Sequence, residues 1–148
     1  MRTHRPSGMS GVESVASLDE MIPLADHLVL ALPSTAETVG LMDTARLTML
    51  KSGSHLINIS RAALIDHDAL KERLDSGQIA RASLDVVSPE PLPDGHWLYR
   101  HPSVQLSPHI AWNGPSSHER MRQAFLDNLR HWCAGDSLQG VVDTSVGY

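Results

Sequence analysis

The sequence predicts an α/β fold built on a parallel sheet with flanking helices, and three observations carry that expectation. Four short apolar runs recur, with starts 28, 26 and 22 residues apart; helical patterns with cap and stop signals lie between them; and no linker or repeat divides the 148 residues. Each run is too short for a helix and rich in branched residues. Such a run reads as a strand buried on both faces, the habit of parallel sheets.

The elements follow in order. A weaker run at 12–16 is a candidate for one more strand. Ser17-Leu18-Asp19-Glu20 has the form of a capping box and predicts a helix start. Leu28-Val29-Leu30-Ala31-Leu32 is the first clear strand. Asp43 precedes the helical stretch from Ala45 to Lys51, with Gly53 as its stop signal. Leu56-Ile57-Asn58-Ile59 is the second strand. Asp66 caps a helix whose face carries Leu70 and Leu74 and which ends at Gly77. Ala82-Ser83-Leu84-Asp85-Val86-Val87 and Val104-Gln105-Leu106 are the third and fourth strands. Strand, helix and strand in repetition imply right-handed crossovers. Finally, Ser116-Ser117-His118-Glu119 opens a longer helix with Met121, Phe125, Leu129 and Trp132 on one stripe, stopped by Gly135; the stripe reads as core-facing.

Composition narrows the function classes. Twelve Lys and Arg against seventeen Asp and Glu give a net charge of −5, which lacks the positive field that nucleic acid or an anionic membrane would require. The longest apolar run, 28–32, is far short of the roughly twenty residues of a membrane helix. Cys133 is the only cysteine, so an internal disulfide is impossible and a reducing, cytoplasmic setting is expected. The histidines show no ligand spacing with cysteine or acids, and no metal is expected.

In open parallel sheets, ligands bind beyond the carboxyl ends of the strands. Past the first run come Pro33, Ser34, Thr35 and Thr38; past the second, Ser60 and Arg61; Asp85 lies in the third, with Glu90 five residues on; past the fourth come Ser107, Pro108 and His109. Arg61 offers a planar fork suited to gripping a carboxylate twice. His109 can donate or accept a proton near neutrality. Glu90, if it reaches that ring, would orient it and favour its charged form. Together they suit a substrate with an acid group beside a carbonyl or hydroxyl. Singly, each has a plainer reading as a surface ion pair, a loop histidine or a solvated turn acid.

Four ordered segments resemble one family. Ala25-Asp26 leading into Leu30-Ala31-Leu32-Pro33-Ser34-Thr35-Ala36-Glu37-Thr38, then 56–66, 83–93 and Leu106-Ser107-Pro108-His109-Ile110-Ala111, are similar to the D-isomer-specific 2-hydroxyacid dehydrogenases, over nearly the whole chain but only the rear part of that family's polypeptide. The resemblance implies an incomplete Rossmann-like domain, 1–148, with a C-terminal helix and tail, lacking the substrate domain and the Gly-rich phosphate loop. It implies NAD or NADP as cofactor and a small 2-keto or 2-hydroxy acid as substrate. Arg61 would bind the substrate carboxylate and contact the nicotinamide side, His109 would be the general acid and base, and Glu90 its partner. Asp85 would meet the nicotinamide carboxamide. Leu32, Pro33, Thr38, Ile59 and Ser60 would line the cofactor cleft.

The departures from the family also carry expectations. No two of the ten glycines lie two apart, so the phosphate-binding fingerprint is missing and the chain reads as truncated at its amino end. Ala62 stands where the family usually has glycine. Arg2, with His4 and Arg5, lies where an acidic residue suits NAD and a basic one NADP; this favours NADP, and a merely solvated tail explains it equally well. An unprotected sheet edge together with Trp97, Leu98, Tyr99 and Trp112 predicts a homodimer. Two other readings stay open: a nucleotide- or partner-binding module without chemistry, and an inactive remnant.

Overall fold

A computed structural model describes residues 10–144, and Arg2, His4 and Arg5 lie outside the described residues. The chain forms two compact units, the first ending at Pro108 and the second beginning at His109. In the first unit, α1 (Leu18–Met21) and a 3-10 turn lead into β1 (His27–Leu30); α2 (Thr44–Met49), β2 (Ser54–Asn58), α3 (His67–Asp75), β3 (Ile79–Leu84) and β4 (Val104–Leu106) follow. The second unit carries α4 (Ser117–Ala134).

The helix starts follow from local chemistry. The side chains of Ser17, Asp43 and Asp66 accept hydrogen bonds from the amides of Glu20, Arg46 and Asp68, satisfying donors that a first turn leaves open. Gly77 follows α3 at φ 75°, a conformation that costs glycine least. The run at 12–16 forms no strand; Val12 and Val15 are exposed and pair with nothing regular.

The four strands are all parallel, in the order β1-β2-β3-β4. A monotonic order has a consequence for burial. Right-handed crossovers between successive neighbours put every connecting helix on the same face. The core therefore forms on that face, where Leu28, Leu30, Leu56, Ala82 and Leu84 meet Ile22, Leu47, Leu70 and Leu74. The opposite face carries His27, Val29, His55, Ile57, Arg81 and Ser83, none of them buried. The expected burial on both faces is thus corrected to one. A polar row occupies part of the open face, with His55 Nε2 2.9 Å from Ser83 Oγ and the Arg81 guanidinium donating to Gln105 at 2.6 Å.

In the second unit, α4 ends at Gly135 (φ 78°), and Asn128 clasps the tail by exchanging two hydrogen bonds with Gln139. Ser116 makes no capping bond; Ser117 instead accepts from Gly114 N and donates to the carbonyl of Trp112. The stripe of Met121, Phe125, Leu129 and Trp132 is exposed, Trp132 at 72%. Its periodicity is as expected but its core role is not: among the described residues this unit is a single helix with two flanking segments and no second layer of its own.

His67 opens α3 with its Nε2 buried and unpartnered. Burial pushes its pKa down, the neighbouring His96 adds to this, and Asp66 and Asp68 pull weakly the other way. The folded state thus favours the neutral ring, whereas the unfolded chain takes up a proton below about pH 6.5. Stability contributed above that pH is lost as the pH falls through it. His67→Gln should shrink the drop in urea midpoint between about pH 7.5 and pH 5.5; an unchanged drop would assign the acid sensitivity elsewhere.

Candidate active site

The C-terminal edge of the sheet is built from loops that leave their strands while still bonded to the neighbouring strand. Ile59 N donates to the Leu30 carbonyl at 3.2 Å, Asp85 N to that of Asn58 at 2.9 Å, and Ser107 N to that of Leu84 at 3.0 Å. Each loop therefore starts from a fixed point.

After β1, Leu32 is half-buried and Pro33 exposed. Thr38 is buried, and its Oγ1 donates to the Pro33 carbonyl and accepts from Thr35 N, both at 2.7 Å. Its hydroxyl shapes the loop from within. After β2, Ile59 is 45% exposed, while Ser60 is buried and donates its hydroxyl to the Leu32 carbonyl, tying two loops together. Arg61 is exposed, in an extended backbone conformation, with Nη1 donating to the Ser60 carbonyl at 2.7 Å. Ala62 is buried and opens a 3-10 turn, and its φ is not positive, so the side chain adds no backbone strain there.

Asp85 follows β3 and is buried at 5% exposure, accepting from Ser107 Oγ at 2.5 Å. A buried carboxylate needs such partners, because leaving it unpaired in the interior is costly. Glu90 is exposed on the following loop, between two cis X-Pro bonds at Ser88-Pro89 and Glu90-Pro91. Asp85, Glu90, Tyr99 and Ser107 help line a hollow of about 320 Å³ with otherwise apolar walls.

His109 begins the second unit. It is half-buried, and its φ of 55° makes it the only non-glycine residue in the left-handed region among the described residues. Histidine tolerates that region better than most side chains, and such outliers concentrate at functional sites. Its carbonyl accepts from Trp112 Nε1 at 3.1 Å.

The first unit thus brings Leu32, Ser60, Asp85 and Ser107 into one hydrogen-bonded edge. Asn58 does not stand out in the sequence as a site residue, and Ser107 does so only by its place past the fourth run, without a role. Asn58 leaves one trace, a polar side chain inside an apolar run. Among the described residues, no cluster of three histidine, cysteine or acidic side chains could hold a metal.

The family model for the NAD binding domain of D-isomer specific 2-hydroxyacid dehydrogenases matches residues 2–111. The chain belongs to this family. A glyoxylate/hydroxypyruvate reductase A from Serratia proteamaculans is 37% identical across 97% of the chain, which spans 46% of that relative. A D-isomer specific 2-hydroxyacid dehydrogenase from Xanthobacter autotrophicus, solved with NADPH and MES, superposes with a TM-score of 0.86 at 34% identity, over 97% of this chain and 60% of that one. An NADPH-dependent glyoxylate/hydroxypyruvate reductase from Sinorhizobium meliloti, solved with NADP and sulfate, gives 0.82 at 30% identity, over 92% and 44%. The chain spans about half the length of the curated relatives it matches. Within this domain, Leu98 corrects one sequence expectation: at 2% exposure it belongs to the core, while Tyr99 and Trp112 remain exposed.

Replacing Thr38 by Val keeps the shape of the side chain and strands the Pro33 carbonyl and Thr35 amide. The cost should be about 1–3 kcal/mol in chemical denaturation, with faster amide exchange confined to 33–40. A variant as stable as the parent would contradict the role of Thr38 within the loop.

Proposed function

We propose that the chain forms the cofactor-side half of an NAD(P)-dependent reductase of small 2-keto acids such as glyoxylate and hydroxypyruvate. The observation that carries this reading is the placement of an exposed arginine and a buried, oriented aspartate on neighbouring loops of one sheet edge, where ligands of such sheets bind.

The residues present suit the nicotinamide end of the cofactor. Asp85, its carboxylate held by Ser107, would accept from the carboxamide, and Leu32, Pro33, Ile59 and Ser60 would wall the cleft, with Thr38 shaping it. Within the 148 residues no two glycines lie two apart, the spacing of a phosphate-binding turn. NADP is the preferred form, supported by the NADPH and NADP bound in the two similar structures and by Arg2 in the sequence. The reduced cofactor, when bound, supplies a hydride to the substrate carbonyl carbon. Arg61 would receive the substrate carboxylate with two parallel hydrogen bonds. His109 would give the proton to the carbonyl oxygen and take it back in the oxidation direction, with Glu90 as its partner.

The chain joined to the amino-terminal half of the Serratia relative should reduce glyoxylate with NADPH. Arg61→Lys should raise KM by at least about tenfold, since an ammonium cannot reproduce a bidentate grip. His109→Ala should lower kcat by roughly a hundredfold to ten-thousandfold. An inert chimera would count against the reductase reading, and an unchanged KM in Arg61→Lys against the role of Arg61.

The same reading places the protein in the cytoplasm as a homodimer, supported by exposed Tyr99 and Trp112 and by the single, exposed cysteine. Among the described residues, no helix is long and apolar enough to cross a membrane. Light scattering at micromolar concentration should report a dimer; a monomer of 16.2 kDa would remove that part of the proposal.

A further inference from the structure

Asn58 is the last residue of β2 and is fully buried. It lies in register between Leu30 and Leu84, both core residues, at a position where an apolar side chain would otherwise sit. A primary amide in such a place destabilises the fold unless both of its ends are hydrogen-bonded. Both are, and both partners belong to one turn. Nδ2 donates to the Arg61 carbonyl at 2.9 Å, and Oδ1 accepts from the Ser60 amide at 3.0 Å. The side chain thus acts as a short piece of strand, holding the backbone on either side of the Ser60–Arg61 peptide bond. Its own carbonyl accepts from Asp85 N at 2.9 Å, so the same residue fixes the start of the next loop.

We propose that Asn58 is a positioning residue: its amide sets where the Arg61 guanidinium leaves the sheet edge, and so how a substrate carboxylate is received. The second half rests on the reading of Arg61 as the carboxylate site. Chemistry separates the two hydrogen bonds. An aspartate at 58 can still accept from Ser60 N, but its carboxylate cannot donate to the Arg61 carbonyl and repels it instead. An alanine can do neither.

The test uses the 148-residue chain with oxalate as the carboxylate probe. Amide exchange of Ser60 is compared with that of Leu70, whose amide bonds the Asp66 carbonyl in α3, and oxalate binding is followed on the Arg61 Nε–Hε signal. In Asn58→Ala, Ser60 exchange should accelerate at least about tenfold relative to Leu70, the size expected for one lost hydrogen bond, and oxalate affinity should fall by a similar factor. In Asn58→Asp, Ser60 should stay protected to within about threefold of the parent while oxalate affinity falls as in the alanine variant. A purely structural role would speed Ser60 and Leu70 together. That result, or unchanged Ser60 exchange in Asn58→Ala, overturns the proposal, and the alanine variant decides alone if the aspartate variant does not fold. Arg61→Ala distinguishes the two halves. Oxalate binding indifferent to it removes the carboxylate role, while the exchange comparison still decides whether Asn58 holds the turn.

Discussion

The site depends on the overlap between strand ends and loop starts. Ile59, Asp85 and Ser107 each donate a backbone hydrogen bond to the strand next door after leaving their own. Parallel ladders make this possible because their bonds slant from one strand to the next. The loops then add bonds of their own: Ser60 to Leu32, Ser107 to Asp85, Asn58 to Ser60 and Arg61. Rigid elements place functional groups better than free loops do, and here short loops acquire that rigidity from the sheet.

Strand order decides the rest of the packing. Because β1 to β4 follow one another across the sheet, α2 and α3 share one face with the core, and the other face presents a mixed row of histidines, aliphatic residues and an arginine. That polar content agrees with its partial exposure. It contrasts with the core-facing positions, where Asn58 and Ser54 are the polar exceptions within the strands.

Much of this was legible in the sequence, for local reasons. Strand centres follow from runs of branched apolar residues, and helix starts from Ser17, Asp43 and Asp66, whose capping bonds need only their own first turn. Burial was less legible. The alternation in β1 and β2 is hidden because Val29 and Ile57 are apolar on the open face as well, so only strand order reveals which side is covered. The stripe on α4 shows that a face is amphipathic, but periodicity does not say whether the chain supplies something to cover it. Arg61, Asp85, Glu90 and His109 could be listed from chemistry and position. The work of Asn58 could not, since it depends on a turn that brings the Arg61 carbonyl back to β2.

His109 constrains the evolution of its own position. Its left-handed backbone restricts replacement independently of any proton it moves. Glycine and asparagine suit that backbone, whereas valine, isoleucine and threonine clash with it. Replacing the imidazole by a β-branched residue would therefore disturb the loop itself, whatever the side chain does there. A lineage that kept the fold but no longer needed the imidazole should drift here towards asparagine rather than towards a branched residue, leaving a recognisable mark in an otherwise intact domain.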